Sequence, residues 1–306
     1  MREPAGLIRG VLAPVVTPFR ADLAPDRERL IAHCRWLIAQ DCGLALFGTN
    51  SEANSQSVDE RMQLLDGVVE AGLPTARMMP GTGCSAFADT VRLTSHAVRL
   101  GCAGVLMLPP FYYKGVSDDG LFAYFSEVIE RVGDQRLKVY LYHIPPVAQV
   151  GISLALIERL LAAYPATVVG IKDSSGDWAN TKAMLDAFPL FDVFVGSEAF
   201  LLANMRAGGV GCISATANVN PAAIVGLFHQ WRSERADADQ AALTATRQIL
   251  QAFPMIPALK ATIAHYSGDE TWRNVRPPLV ALSPEQRASL QGKLAEIGFT
   301  MAGLAA

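Results

Sequence analysis

Apolar, β-branched runs alternate with stretches of helical periodicity along most of the chain. The first run is Val11 to Phe19, shaped at its end by Pro14 and Pro18. Residues 26–40 follow with Leu30, Cys34, Leu37 and Ile38 at helical spacing, and Gly43 closes that segment. Further strand-like runs cover Leu44–Thr49, Thr75–Gly83, Ala103–Leu108, Leu137–Ile144, Thr167–Asp173, Phe191–Gly196 and Val210–Ser214. Between them lie helical stretches with recognisable starts: a capping box at Ser57/Glu60, a cap at Ser153 and a first-turn proline at Pro221. Strictly alternating strands and helices imply parallel strands, because each crossover returns the chain to the same end of the sheet. Eight such units predict a (β/α)₈ TIM barrel, with a doubly wound open sheet as the alternative. Gly81-Thr82-Gly83 matches the dinucleotide fingerprint of that alternative only in part.

After Trp231 the pattern becomes all-helical: Ala242, Leu243, Thr246, Ile249, Leu250 and Phe253 share one face, and Ser283-Pro284-Glu285 opens a last helix. The predicted organisation is a barrel over 1–231 and a C-terminal helical extension over 232–306. Composition supports a large core: 306 residues, 51% hydrophobic and 18% charged. A net charge of −3 gives no footprint for nucleic acid or an anionic membrane. The first ten residues lack an apolar signal core, and a cytoplasmic location is expected. Five scattered cysteines read as reduced, and five dispersed histidines form no metal-ligand spacing, so neither a metal nor another cofactor is expected.

The chemistry concentrates where strands end. In Val168-Val169-Gly170-Ile171-Lys172-Asp173, alternation puts Val168, Gly170 and Lys172 on one face. A lysine thus terminates a buried strand, and desolvation disfavours the ammonium form of such a group. A neutral amine adds to ketones and forms Schiff bases. Tyr142 ends the preceding strand, and a buried phenol can shuttle protons. The segment Gly48-Thr49-Asn50-Ser51-Glu52 offers backbone N–H groups and short side chains suited to a carboxylate. Of the six lysines, Lys172 reads as the buried one; Lys114 lies in a loop, Lys138 starts a strand, and Lys260 belongs to the helical tail.

Gly48-Thr49-Asn50-Ser51-Glu52, Tyr142-His143-Ile144-Pro145, Gly170-Ile171-Lys172-Asp173 and Gly211-Cys212-Ile213-Ser214 resemble, in order and spacing, the dihydrodipicolinate synthase / N-acetylneuraminate lyase family. The resemblance runs from Val11 to the C-terminus. It implies a barrel whose Lys172 forms a Schiff base with pyruvate or another 2-oxo acid, and whose Tyr142 passes the proton. Thr49 would link Tyr142 to a second tyrosine from a neighbouring subunit, Tyr112 or the adjacent Tyr113. Thr49 and Asn50 would hold the carboxylate, Gly196 and Ile213 would frame the pocket, and Val147 would stand at its rim. The implied partners are a 2-oxo acid and an aldehyde, and the implied assembly is a homotetramer, a dimer of dimers.

Several positions depart from the family pattern. Asn50-Ser51 replaces the usual Thr-Gly, and His143 replaces the asparagine after the tyrosine. Val147 stands where synthases of the lysine pathway carry an arginine; Val58 and Arg61 occupy the positions of the histidines that help bind feedback lysine in some of them. The leading expectation is a Schiff-base aldolase or lyase. The alternatives are a 4-hydroxy-tetrahydrodipicolinate synthase, a 2-oxo-3-deoxy sugar acid dehydratase and a non-catalytic 2-oxo-acid-binding barrel.

Overall fold

The structure is a computed structural model that describes residues 7–304. Its strands are β1 (Gly10–Ala13), β2 (Gly43–Leu44), β3 (Val105–Met107), β4 (Val139–His143), β5 (Val168–Asp173), β6 (Asp192–Val195) and β7 (Gly211–Ile213). They form one sheet in the order β2-β1-β7-β6-β5-β4-β3. The pairs β1–β2, β3–β4, β4–β5, β5–β6 and β6–β7 are parallel. Helices separate the strands, and the architecture is α/β and TIM-barrel-like. The chain divides into two compact units, Met1–Gly10 with Pro74–Cys212, and Val11–Leu73 with Ile213–Ala306.

In the first unit, large and absent side chains alternate so that one ring fills each gap. Tyr140 is fully buried, and a Cβ on Gly170 would lie 2.5 Å from its ring. Gly170 is therefore required by its two flanking strands, through the Tyr140 ring and the Asp192 carbonyl oxygen, also 2.5 Å away, and not by a turn. Tyr140 meets Phe194 edge-to-face at 5.8 Å, and its hydroxyl donates to the Ile8 carbonyl. Arg9 donates to both oxygens of the buried Asp192 carboxylate, at 2.9 and 3.3 Å. This packed layer underlies the residues at the strand ends.

The run Thr75–Gly83 does not form the expected strand. Thr75–Arg77 is a 3₁₀ turn, and only Gly81 pairs, in a single bridge to Leu106. Pro80 accepts from the Leu106 N–H at 2.9 Å but has no N–H to return, so the ladder cannot extend through it. Met78 and Met79 are nevertheless fully buried. The hydrophobic signal was burial without a ladder.

In the second unit, α1 (Arg27–Ala39) and α2 (Val58–Glu70) begin with side-chain caps at Asp26 and Ser57, the latter a complete capping box with Glu60. The helices Ala236–Gln251, Met255–Ser267 and Pro284–Glu296 belong to the same unit. His33 of α1 is buried between Trp36 and Trp272. The Asn218 Oδ1 atom already accepts from the Val16 N–H, so His33 faces it through a donating Nε2 at 3.4 Å. Burial lowers the His33 pKa to about 4, the contact with Asn218 opposing. The unfolded chain then takes up this proton before the folded one, so stability is constant above about pH 6.5 and falls as pH drops toward 4. A loss of about 3 kcal/mol is expected across that window. Urea unfolding between pH 7 and pH 4 should show the slope in the wild type and a flatter one in His33→Phe. Equal slopes would place the acid-sensitive group elsewhere.

Candidate active site

Residue-by-residue pairing of β4 and β5 sets the centre of the first unit. Tyr142 lies opposite Lys172, and His143 opposite Asp173. Lys172 is 2% exposed and Tyr142 4%, and the Lys172 Nζ atom stands 4.3 Å from the centroid of the Tyr142 ring. An amine and a phenol are thus held against each other at the ends of two neighbouring buried strands.

The strand ends are fixed by backbone bonds. Ser174 N–H donates to the His143 carbonyl and Gly196 N–H to the Asp173 carbonyl, both at 2.7 Å. A Cβ on Gly196 would fall 2.9 Å from the Ser174 Cα, so this glycine lets the turn after Lys172 pass close to the end of β6. Asp173 points to the other face of the sheet, where it accepts from Ser175 N–H (2.9 Å), Asn180 Nδ2 (3.1 Å) and Thr181 Oγ1 (2.6 Å). Its role is to hold the loop that follows Lys172. His143 accepts the Ile152 N–H at Nδ1, 2.9 Å away. Burial lowers its pKa, with the Asp173 carboxylate opposing.

The other expected residues of this unit lie on its surface. Tyr112 and Tyr113 are 73% and 72% exposed and stack edge-to-face at 5.3 Å. Val147 is also exposed, on the short helix Pro145–Ala148. Lys114 ties these two segments together, since its ammonium donates to the carbonyls of Phe111 and Ala148.

In the second unit, Thr49 and Asn50 occupy a 3₁₀ turn, Thr49–Ser51. Ser51 N–H donates to Gly48 O and Glu52 N–H to Thr49 O, both at 3.1 Å. Those two amides close the turn, so the anion-cradle expectation for them does not hold. Thr17 Oγ1 and Gln56 Nε2 both donate to the Ser51 carbonyl, at 2.8 and 2.7 Å. Ile213 is fully buried at the end of β7.

Lys260 was expected to be less buried than Lys172, and it is fully buried. It pairs with the equally buried Glu52, and burial lowers its pKa to about 8 against the attraction of that carboxylate. The signal for it is a single lysine inside Pro257-Ala258-Leu259-Lys260-Ala261-Thr262-Ile263-Ala264, a stretch without a polar face. Among the described residues, no group of three or more His, Cys, Asp and Glu side chains is placed to hold a metal ion. No helix of the described chain is long and apolar enough to cross a membrane.

The dihydrodipicolinate synthetase family model matches residues 7–297. This chain belongs to that family. An uncharacterized DapA-like lyase of Chloroflexus aurantiacus is 35% identical over 297 residues, covering 95% of this chain and 96% of that protein. The crystal structure of dihydrodipicolinate synthase from Agrobacterium tumefaciens aligns with a TM-score of 0.89 at 34% identity, over 95% of this chain and 99% of that one. YagE, an E. coli prophage protein of the dihydrodipicolinic acid synthase family solved in complex with pyruvate, aligns with the same TM-score at 27% identity, over 96% and 99% of the two chains.

Proposed function

We propose that this chain is a class I lyase that acts on pyruvate or another 2-oxo acid through a Schiff base on Lys172, in reversible aldol cleavage and condensation. The observation that carries the reading is the buried Lys172 amine 4.3 Å from the ring of Tyr142. Membership of the synthetase family and the likeness to a pyruvate-bound relative support the choice of substrate class.

Lys172 Nζ adds to C2 of the 2-oxo acid, and the carbinolamine oxygen leaves as water after receiving one proton from the amine and one from solvent, while nitrogen keeps its other hydrogen as the iminium. Tyr142 takes the proton from the incoming amine and returns it to the departing oxygen. In cleavage, the C4 hydroxyl loses its proton and the C3–C4 bond breaks. The bonding pair moves through C2–C3 to the iminium nitrogen, the aldehyde departs, and C3 of the enamine takes up a proton. Water then releases the 2-oxo acid from Lys172. Thr49 and a tyrosine of a neighbouring subunit, Tyr112 or Tyr113, relay the proton onward. Thr49 and Asn50 hold the carboxylate, and Gly196, Ile213 and Val147 line the pocket. The reading includes a TIM-barrel-like domain over 1–231, a helical domain over 232–306, a homotetramer and a cytoplasmic location. It includes no cofactor. Exposure of Tyr112 to solvent in the single chain is compatible with a role across an interface.

Val147 makes aspartate semialdehyde a poor aldehyde partner in this reading. A second carboxylate needs a cation at the rim, and a bidentate arginine is worth about 1.5–3 kcal/mol there. Its absence costs about one to two orders of magnitude in kcat/KM. Steady-state kinetics against uncharged, hydroxylated aldehydes is the measurement. A semialdehyde that outperforms them would point to Lys114, whose ammonium lies 2.7 Å from the carbonyl of Ala148 beside Val147. The class of reaction itself is tested by treating the protein with pyruvate and borohydride. One reduced adduct per chain in the intact mass is expected, and an unmodified mass would overturn the reading.

A further inference from the structure

We infer that Lys260 is a positioning residue, whose buried pair with Glu52 holds the Thr49–Asn50 turn in the geometry that receives the substrate carboxylate. The inference rests on the proposed role of that turn and goes beyond it, because it assigns the determinant of carboxylate affinity to a residue in the C-terminal helical region.

The second unit places these groups in one closed set of bonds. Glu52 follows the Thr49–Ser51 turn directly and sits in the left-handed region at φ 56°, which is costly for a residue with a Cβ. Its carboxylate accepts from Lys260 Nζ at Oε1 and from Arg276 N–H at Oε2, 2.9 Å away. Lys260 Nζ also donates to the Asn274 carbonyl at 2.8 Å and lies 4.4 Å from the centroid of the Phe19 ring. Arg276 stands over the same ring and donates to Ser55 O (2.7 Å), Leu23 O (2.9 Å) and both oxygens of Glu60. The turn is thus gripped at Ser51 by Thr17 and Gln56, and at Glu52 by Lys260 and Arg276. Thr49 and Asn50 lie immediately before the gripped residues.

A buried ion pair is a poor device for stability alone, since apolar residues of similar volume serve as well or better. Its strength is geometric, because each partner accepts few alternative positions once desolvated. Removing the ammonium leaves Glu52 buried and unpaired, so the carboxylate turns toward water and carries the preceding turn with it.

The test uses the full-length protein and pyruvate with borohydride, titrating pyruvate and reading the adduct by intact mass. Lys260→Met removes the ammonium and leaves the Glu52 carboxylate in place, and Lys260→Met with Glu52→Gln removes both charges while retaining an amide acceptor for Arg276 N–H. Circular dichroism and thermal melts establish folding. In the folded variants the half-saturating pyruvate concentration should rise about tenfold, the loss of one charge-assisted contact. The adduct at saturation should reach the wild-type level. A merely structural role would lower the melting temperature and leave half-saturation unchanged, and that result would overturn the inference. Failure of both variants to fold would make the pair a folding element and would also overturn it. Absence of any adduct in the wild type would instead overturn the proposed function.

Discussion

Replacing Lys172 by alanine is expected to abolish turnover while leaving a folded protein. The side chain is buried at the end of β5, and its removal deletes the only atom to which the 2-oxo acid is proposed to bond. Loss of a covalent nucleophile elsewhere lowers kcat by about a millionfold, and an effect of that order is expected here. Gly170, Ile171 and Asp173 keep their strand pairing in the variant, and near-ultraviolet circular dichroism should match the wild type. The measurement is pyruvate release from a panel of 4-hydroxy-2-oxo acids. Retention of even a hundredth of the wild-type rate in Lys172→Ala would require another nucleophile.

Tyr142→Phe isolates the phenol from the ring. Phenylalanine preserves the aromatic face beside Lys172 Nζ, so the packing of the amine is unchanged and only the hydroxyl is lost. General acid–base help of this kind is worth about 10²–10⁴-fold, and kcat should fall by that factor. KM for the 2-oxo acid should change little, because the carboxylate is held by other groups. Borohydride should still trap an adduct in this variant, more slowly. A near-wild-type kcat would show that the proton travels by another route.

The placement of Lys172 and Tyr142 at the ends of successive strands was legible because strand alternation is local. A strand of known length and direction fixes which side chains share a face, and each motif carries its own strand. The failure at Thr75–Gly83 has an equally local cause, a proline without an N–H in a run whose apolar content reads as a strand. The buried pair of Lys260 and Glu52 was not legible in the same way. The two residues are 208 positions apart, and charge pairing at that separation leaves no periodic trace. Lys260 was read only as a member of the helical tail and less buried than Lys172, whereas every residue from Pro257 to Ala264 is buried. The loop at Gly48–Glu52 was read from residue types as a set of donors. A tight turn consumes such donors internally, as Ser51 and Glu52 do.

The central claim is that Lys172 is the imine-forming residue. The most direct measurement is proteolytic mapping of the borohydride-reduced adduct formed with labelled pyruvate. Lys260 is the informative rival, being a second buried amine with its pKa lowered to about 8. The account predicts one label per chain, located in the peptide that contains Lys172 and absent from Lys172→Ala. A label on Lys260, or an undiminished label in Lys172→Ala, would contradict it.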